Sequence, residues 1–214
     1  MWLVRGNSMA RNEQGELTSI WTPANVITSV RICFIPVFML LAVLSRDAMG
    51  ALTHPAFAIG ACVLYILLSL TDKLDGSLAR KRNEITDFGK FLDPIADKLL
   101  VFSALLLLLD QGYVNVWVVF IILLREFLVS ALRMVASAAG EVIAADSLGK
   151  AKTAVTMVSL CGFYVAFALE ALGMGDLTVW ILGISQALMV AAVVLTVVSG
   201  IQYIWNARDI VFRV

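Results

Sequence analysis

Six apolar runs, each long enough to cross a bilayer as a helix, alternate with short polar segments along the chain. They cover about Ala24 to Ser45, Ala56 to Leu74, Leu92 to Leu109, Val114 to Ala136, Thr153 to Leu172 and Thr178 to Trp205. Thr22-Pro23 marks the start of the first, with Thr as N-cap and Pro in the first turn. Upstream, Leu17, Ile20, Trp21 and Ala24 share one helical face. That predicts a short interfacial helix on the membrane, the other reading being the frayed start of the first span. Residues 1–16 read as a polar tail and 17–214 as one membrane domain. The pattern as a whole predicts an all-α polytopic membrane protein of about six transmembrane helices.

Composition supports this. The chain is 61% hydrophobic, where soluble domains sit near half. Formal net charge is zero, which gives no footing for a nucleic-acid partner. How the charge is distributed says more. With both termini on one side, that side holds Arg5, Arg11, Arg80, Lys81, Arg82, Lys90, Lys150, Lys152, Arg208 and Arg213, and the other side only Arg46. Positive charge stays inside, so both termini are expected in the cytoplasm of a cell (inner) membrane protein. The first twenty residues lack the apolar core of a cleavable leader. Cys33, Cys62 and Cys161 are scattered through apolar runs and read as small core residues. His54 stands alone in a loop, which leaves no zinc site of the Cys/His kind.

Chemistry concentrates in one stretch: Asp72-x2-Asp75-Gly76-x2-Ala79-Arg80-x8-Gly89-x3-Asp93-x3-Asp97. At helical spacing, Asp72, Asp75, Gly76 and Ala79 form one stripe, and Gly89, Asp93 and Asp97 another. Two such helices face to face gather four carboxylates, which repel one another unless cations hold them. Oxygen donors without histidine or thiolate select Mg2+ or Mn2+. A cation path through a transporter is the rival from another class. Its sites usually lie near the midplane, in repeats with broken helices, whereas these aspartates sit at one end of their runs and no repeat is visible.

This pattern resembles, at every specified position, the motif of the CDP-alcohol phosphatidyltransferases, integral membrane enzymes of phospholipid synthesis. The resemblance implies two divalent ions held by Asp72, Asp75 and Asp93, with Asp97 touching one metal and acting mainly as general base. It implies that Gly76, Ala79 and Gly89 give a nucleotide close access to the helix backbone, and that Arg80 meets its phosphates. It also implies a CDP-linked lipid donor, release of CMP, and a homodimer.

The acceptor must be read elsewhere. Arg125 and Glu126 fall near the middle of an apolar run, where an ionisable pair is costly. Arg125, with Arg133, Lys150 and Lys152, suggests a cationic pocket for an acceptor that carries its own phosphate. The segments Arg125-Glu126-Phe127 through Gly149-Lys150-Ala151-Lys152-Thr153, and Asn25-x2-Thr28-x2-Arg31, resemble the phosphatidylglycerophosphate synthases of bacteria. That resemblance implies CDP-diacylglycerol and glycerol 3-phosphate as substrates, with Arg31 among the acceptor-binding residues. The alternatives within the family are a phosphatidylinositol phosphate synthase or a cardiolipin synthase. Lys73 departs from the aromatic or apolar residue common in relatives.

Activity should vanish in EDTA and return with Mg2+ or Mn2+, and Asp72→Ala, Asp75→Ala and Asp93→Ala should weaken metal binding as well as rate. Full turnover in metal-free buffer is the outcome that excludes metal assistance.

Overall fold

The structure, a computed structural model, describes residues 9–11, 17–19, 23–47, 50–82, 87–138 and 147–211. Within these, six helices follow in order: α1 Pro23–Leu44, α2 Pro55–Arg82, α3 Asp87–Asp110, α4 Val116–Ala138, α5 Ser147–Ala171 and α6 Gly175–Val211. Each apolar run is a helix, and the fold is all-α apart from one small ribbon. The segments Asn25–Leu44, Ser147–Ala171 and Gly175–Asn206 are long and apolar enough to cross a bilayer. The apolar part of α2, Pro55–Thr71, is shorter.

The ribbon corrects one expectation. Leu17–Ser19 is a strand, not part of an interfacial helix, and pairs antiparallel with Met9–Arg11 in the register Met9 to Ser19 and Arg11 to Leu17. Thr18 is β-branched, and Ser and Thr side chains compete with a helix for backbone groups, so the three-residue stretch favours extended pairing.

The turns α3–α4 and α5–α6 are short, and these and the longer α1–α2 connection each hold a glycine at positive φ: Gly112, Gly173 and Gly50. Gly112 and Gly173 end α3 and α5 in the left-handed conformation. The next amides, of Tyr113 and Met174, then reach back to the carbonyls of Leu108 and Leu169 at 2.8 and 3.0 Å. Short connections of this kind make antiparallel neighbours. At the same end Arg46 ties the α1–α2 turn to α5. It meets Glu170 at 2.7 Å, donates to the Gly50 carbonyl at 2.7 Å and lies over Phe167. His54 is exposed just ahead of α2, and its carbonyl accepts the Phe57 amide.

The core is an aromatic knot. Tyr164 of α5 packs against Phe38 of α1 at 5.0 Å and Tyr65 of α2 at 4.8 Å between ring centroids, and its hydroxyl donates to the Ala104 carbonyl of α3. All three rings are fully buried. α5 packs along α6, and α4 leans on α6 and, over a shorter stretch, on α3. Outside this core lies an apolar surface. Phe34, Leu40, Leu67, Phe120, Val190 and Ile201 are among its exposed side chains, as suits helices solvated by lipid tails. Exposed Trp117 and Trp180 lie near one end of the bundle and Trp205 near the other, the placing of indoles at the two membrane interfaces. Cys33, expected in the core, is exposed on this surface, while Cys62 is buried.

Tyr164→Ala should open a cavity where four helices meet and lower the melting temperature of the purified protein in detergent, by a loss on the scale of about 3 kcal/mol or more. Tyr164→Phe, which keeps the ring, should cost about 1 kcal/mol.

Candidate active site

α2 outruns its apolar part and stays helical through Asp72, Asp75, Gly76, Ala79 and Arg80 as far as Arg82. α3 starts at Asp87, so Gly89, Asp93 and Asp97 are all helical. Each half of the aspartate motif therefore has the one-face spacing expected of it. The two helices touch. Pro94 stands between Asp93 and Asp97 and leaves the Lys90 carbonyl without its usual helical donor. The side chains of Asp72, Asp75, Ala79, Arg80 and Asp93, and the surroundings of Gly76 and Gly89, lie outside the described part. Among the described residues, no three His, Cys, Asp or Glu side chains gather as a metal cage.

Asp97 is described, and it is half-buried. It lines a cleft with Lys98 and Phe102 of α3, Glu126 of α4, and Lys152, Thr153 and Thr156 of α5. At the centre is the Glu126 carboxylate, which pairs with the Lys152 ammonium and accepts from Arg125 Nη1 at 3.2 Å. Lys152 is only 4% exposed, and Thr156 Oγ1 donates to its carbonyl at 2.9 Å. From the α3 side, Lys98 Nζ donates to Ser130 Oγ, and Ser130 Oγ donates to the Glu126 carbonyl at 2.7 Å. The polar groups of three helices thus form one connected network.

Arg125 leaves α4 through a gap made by glycines. A Cβ on Gly149 of α5 would lie 3.2 Å from Arg125 Nη2, and one on Gly200 of α6 3.2 Å from Arg125 Cγ. Its Nε is buried and finds no partner among the described residues.

The expected cationic set is divided by this packing. Arg125 and Lys152 come together around Glu126. Arg133 and Lys150 are exposed and outside the cleft lining. Lys150 and Lys152 stand two apart on α5, so they point to different faces. Arg31 is 2% exposed in a buried stripe with Asn25 and Thr28, on the helix that packs against α2 and α3. Lys98, Ser130 and Gly200 belong to the site but were not among the expected residues. Lys98 carried a readable signal: it is a lysine within an apolar run, one residue after Asp97.

Comparison with known proteins bears on this arrangement. The family model for CDP-alcohol phosphatidyltransferase matches residues 21–198. The chain belongs to the CDP-alcohol phosphatidyltransferase family. Among its relatives in that family is a CDP-diacylglycerol–glycerol-3-phosphate 3-phosphatidyltransferase of Bacillus subtilis, 39% identical over 86% of this chain and 95% of the relative. Another, from Mycobacterium tuberculosis, carries the name probable phosphatidylglycerophosphate synthase and is 36% identical over 94% of this chain and 90% of its own length. A Rickettsia typhi CDP-diacylglycerol–glycerol-3-phosphate 3-phosphatidyltransferase is 36% identical over 84% and 93%. The family match takes in α2, α3, α4 and α5, so the aspartate motif and the Glu126 network both fall inside it.

Gly200→Leu should force the Arg125 stem aside and destabilise the α4–α6 contact by about 1–3 kcal/mol, measured as a fall in melting temperature. Gly183→Leu, at an open position on α6, should leave it nearly unchanged.

Proposed function

We propose that the protein transfers a phosphatidyl group from CDP-diacylglycerol to glycerol 3-phosphate, giving phosphatidylglycerol phosphate and CMP. The observation that carries this reading is the pairing of two sites in one cleft. Asp97, the last residue of the phosphatidyltransferase motif, shares it with Lys152, and Arg125 adjoins it. The names of the relatives point to the same reaction. A phosphatidylinositol phosphate synthase or a cardiolipin synthase would use the same motif, but no relative named above carries either activity.

Asp72, Asp75 and Asp93, with a contribution from Asp97, would hold two divalent ions. Their donors are carboxylates on two touching helices, with no sulfur or imidazole, a set that fits a hard cation such as Mg2+ or Mn2+. Bound there, such ions neutralise phosphate oxygens and the departing CMP.

The protein's own groups do the rest. Asp97 takes the proton of the acceptor hydroxyl as its oxygen attacks the phosphorus that bears diacylglycerol. The bond from that phosphorus to the oxygen bridging the two phosphates breaks, and CMP leaves with that oxygen. Gly76, Ala79 and Gly89 leave room for the cytidine nucleotide, and Arg80 meets its diphosphate. Arg125 and Lys152 hold the acceptor's phosphate, and the buried Arg125 Nε is a donor in want of such an acceptor atom. Arg31, buried on α1, is assigned to the acceptor side by the same resemblance, and Arg133 and Lys150 supply cationic surface toward the cytoplasm. We place both termini and the cleft on the cytoplasmic side of the cell membrane, with six crossings, on the strength of the lysine and arginine distribution. A homodimer is part of the same proposal.

Purified protein given CDP-diacylglycerol should release CMP with glycerol 3-phosphate and little with free glycerol, inositol phosphate or phosphatidylglycerol. Preference for another acceptor would sink the glycerol 3-phosphate assignment and leave the family chemistry standing. Asp97→Asn should bind nucleotide and metal nearly as before while turnover falls about a hundredfold or more.

A further inference from the structure

Glu126 has no part in the transfer chemistry, yet the cleft is organised around it. Among the described residues it is the one carboxylate that Lys152 and Arg125 share, and its backbone carbonyl receives the Ser130 hydroxyl that holds Lys98. Lys152 lies on α5, Lys98 on α3 and Arg125 on α4, so a single residue links cations from three helices. Burial makes this link decisive for Lys152. Its side chain is 5% exposed, and an ammonium that deep is costly to bury unless a carboxylate pairs with it. Arg125 is always charged, but its direction is open to choice until a carboxylate fixes its fork. Among the described residues, the three cations Arg125, Lys98 and Lys152 stand with the two carboxylates Glu126 and Asp97 at this cleft, an excess of positive charge that suits an anion.

We propose that Glu126 is a positioning residue of the acceptor site, setting the places of Arg125 and Lys152, the two side chains that take the acceptor's phosphate. It touches no substrate itself. The inference rests on the reaction proposed above, and Lys98 enters as a third cation on the same wall.

The test uses the full chain in lipid nanodiscs, with CMP release followed against glycerol 3-phosphate and against CDP-diacylglycerol. Wild-type protein comes first. If it releases no CMP with glycerol 3-phosphate, the reaction itself is wrong, whatever Glu126 does. Given that activity, Glu126→Gln should raise KM for glycerol 3-phosphate at least about tenfold while KM for CDP-diacylglycerol stays within about twofold. Glu126→Asp keeps the charge and should recover much of that loss. The double variant Glu126→Gln with Lys152→Met, read against Lys152→Met alone, separates positioning of Arg125 from mere charge balance. It removes the buried ion pair as a unit, so melting temperature should return toward wild type while KM for glycerol 3-phosphate stays at least about threefold above that of Lys152→Met. Equal KM values in the double variant and in Lys152→Met overturn the proposal, since Glu126 would then only neutralise Lys152. An unchanged acceptor KM in Glu126→Gln, or an equal rise in both KM values, overturns it too. Should Glu126→Gln fail to fold, the double variant decides the matter by the same two readings.

Discussion

Charge in a nearly waterless bundle has to be gathered, and that requirement governs how α3, α4 and α5 meet. Glu126, Arg125, Lys152 and Lys98 all belong to helices whose other faces are apolar. Facing outward, any of them would be stranded among hydrocarbon groups, at a cost of several kcal/mol. Turned inward, they satisfy one another. The Glu126 carboxylate pairs with two cations, and Ser130 passes a hydrogen bond from Lys98 to the α4 backbone. A network of this sort contributes little as net stability, because desolvation offsets most of the attraction. It contributes a defined arrangement, because any other leaves a buried charge unpaired.

That arrangement needs a rigid frame, which the opposite half of the bundle supplies. Tyr164, Tyr65 and Phe38 lock α5, α2 and α1 together, and the Tyr164 hydroxyl reaches α3. Beyond the knot, Arg46 clamps the α1–α2 turn to α5, and glycines at positive φ end α3 and α5 abruptly. With this end fixed, the far halves of α2 and α3 can carry charged residues at the price of little packing. Under the proposed function, two carboxylate stripes on touching helices, with a cationic wall alongside, would form a divided site: a metal and nucleotide side and an acceptor side, with Asp97 at the boundary.

The glycines show how closely the two sides are fitted. Gly149 and Gly200 leave a channel for Arg125 that a larger side chain would fill. Gly162 does the same for helix packing, since a Cβ there would fall 2.2 Å from Ser185 Oγ. α5 and α6 are therefore pressed together in the region where Ser159 Oγ donates to the Ser185 carbonyl at 2.7 Å. Close backbone approach of this type is how helices gain contact where no hydrophobic drive separates lipid from side chain.

The linear chain already determined a good deal. Apolar run length marked all six helices, and helical spacing placed Asp72, Asp75, Asp93 and Asp97 on two stripes before any fold was known. The ionisable pair at Arg125 and Glu126 stood out for its apolar surroundings. These features are local: they depend on period, length and the cost of a charge, and neighbours in sequence suffice to reveal them. The chain did not determine the helix ends, where polar residues continued α2 to Arg82 and began α5 at Ser147, nor the strand at Leu17–Ser19, whose partner lies elsewhere. Only tertiary structure decided which cations act together. Lys152 is buried against Glu126 while Lys150, two residues earlier, is exposed, and Lys98 joins from a third helix. Periodicity fixes which residues share a face, but the face that meets another helix is chosen by packing between elements far apart in the chain.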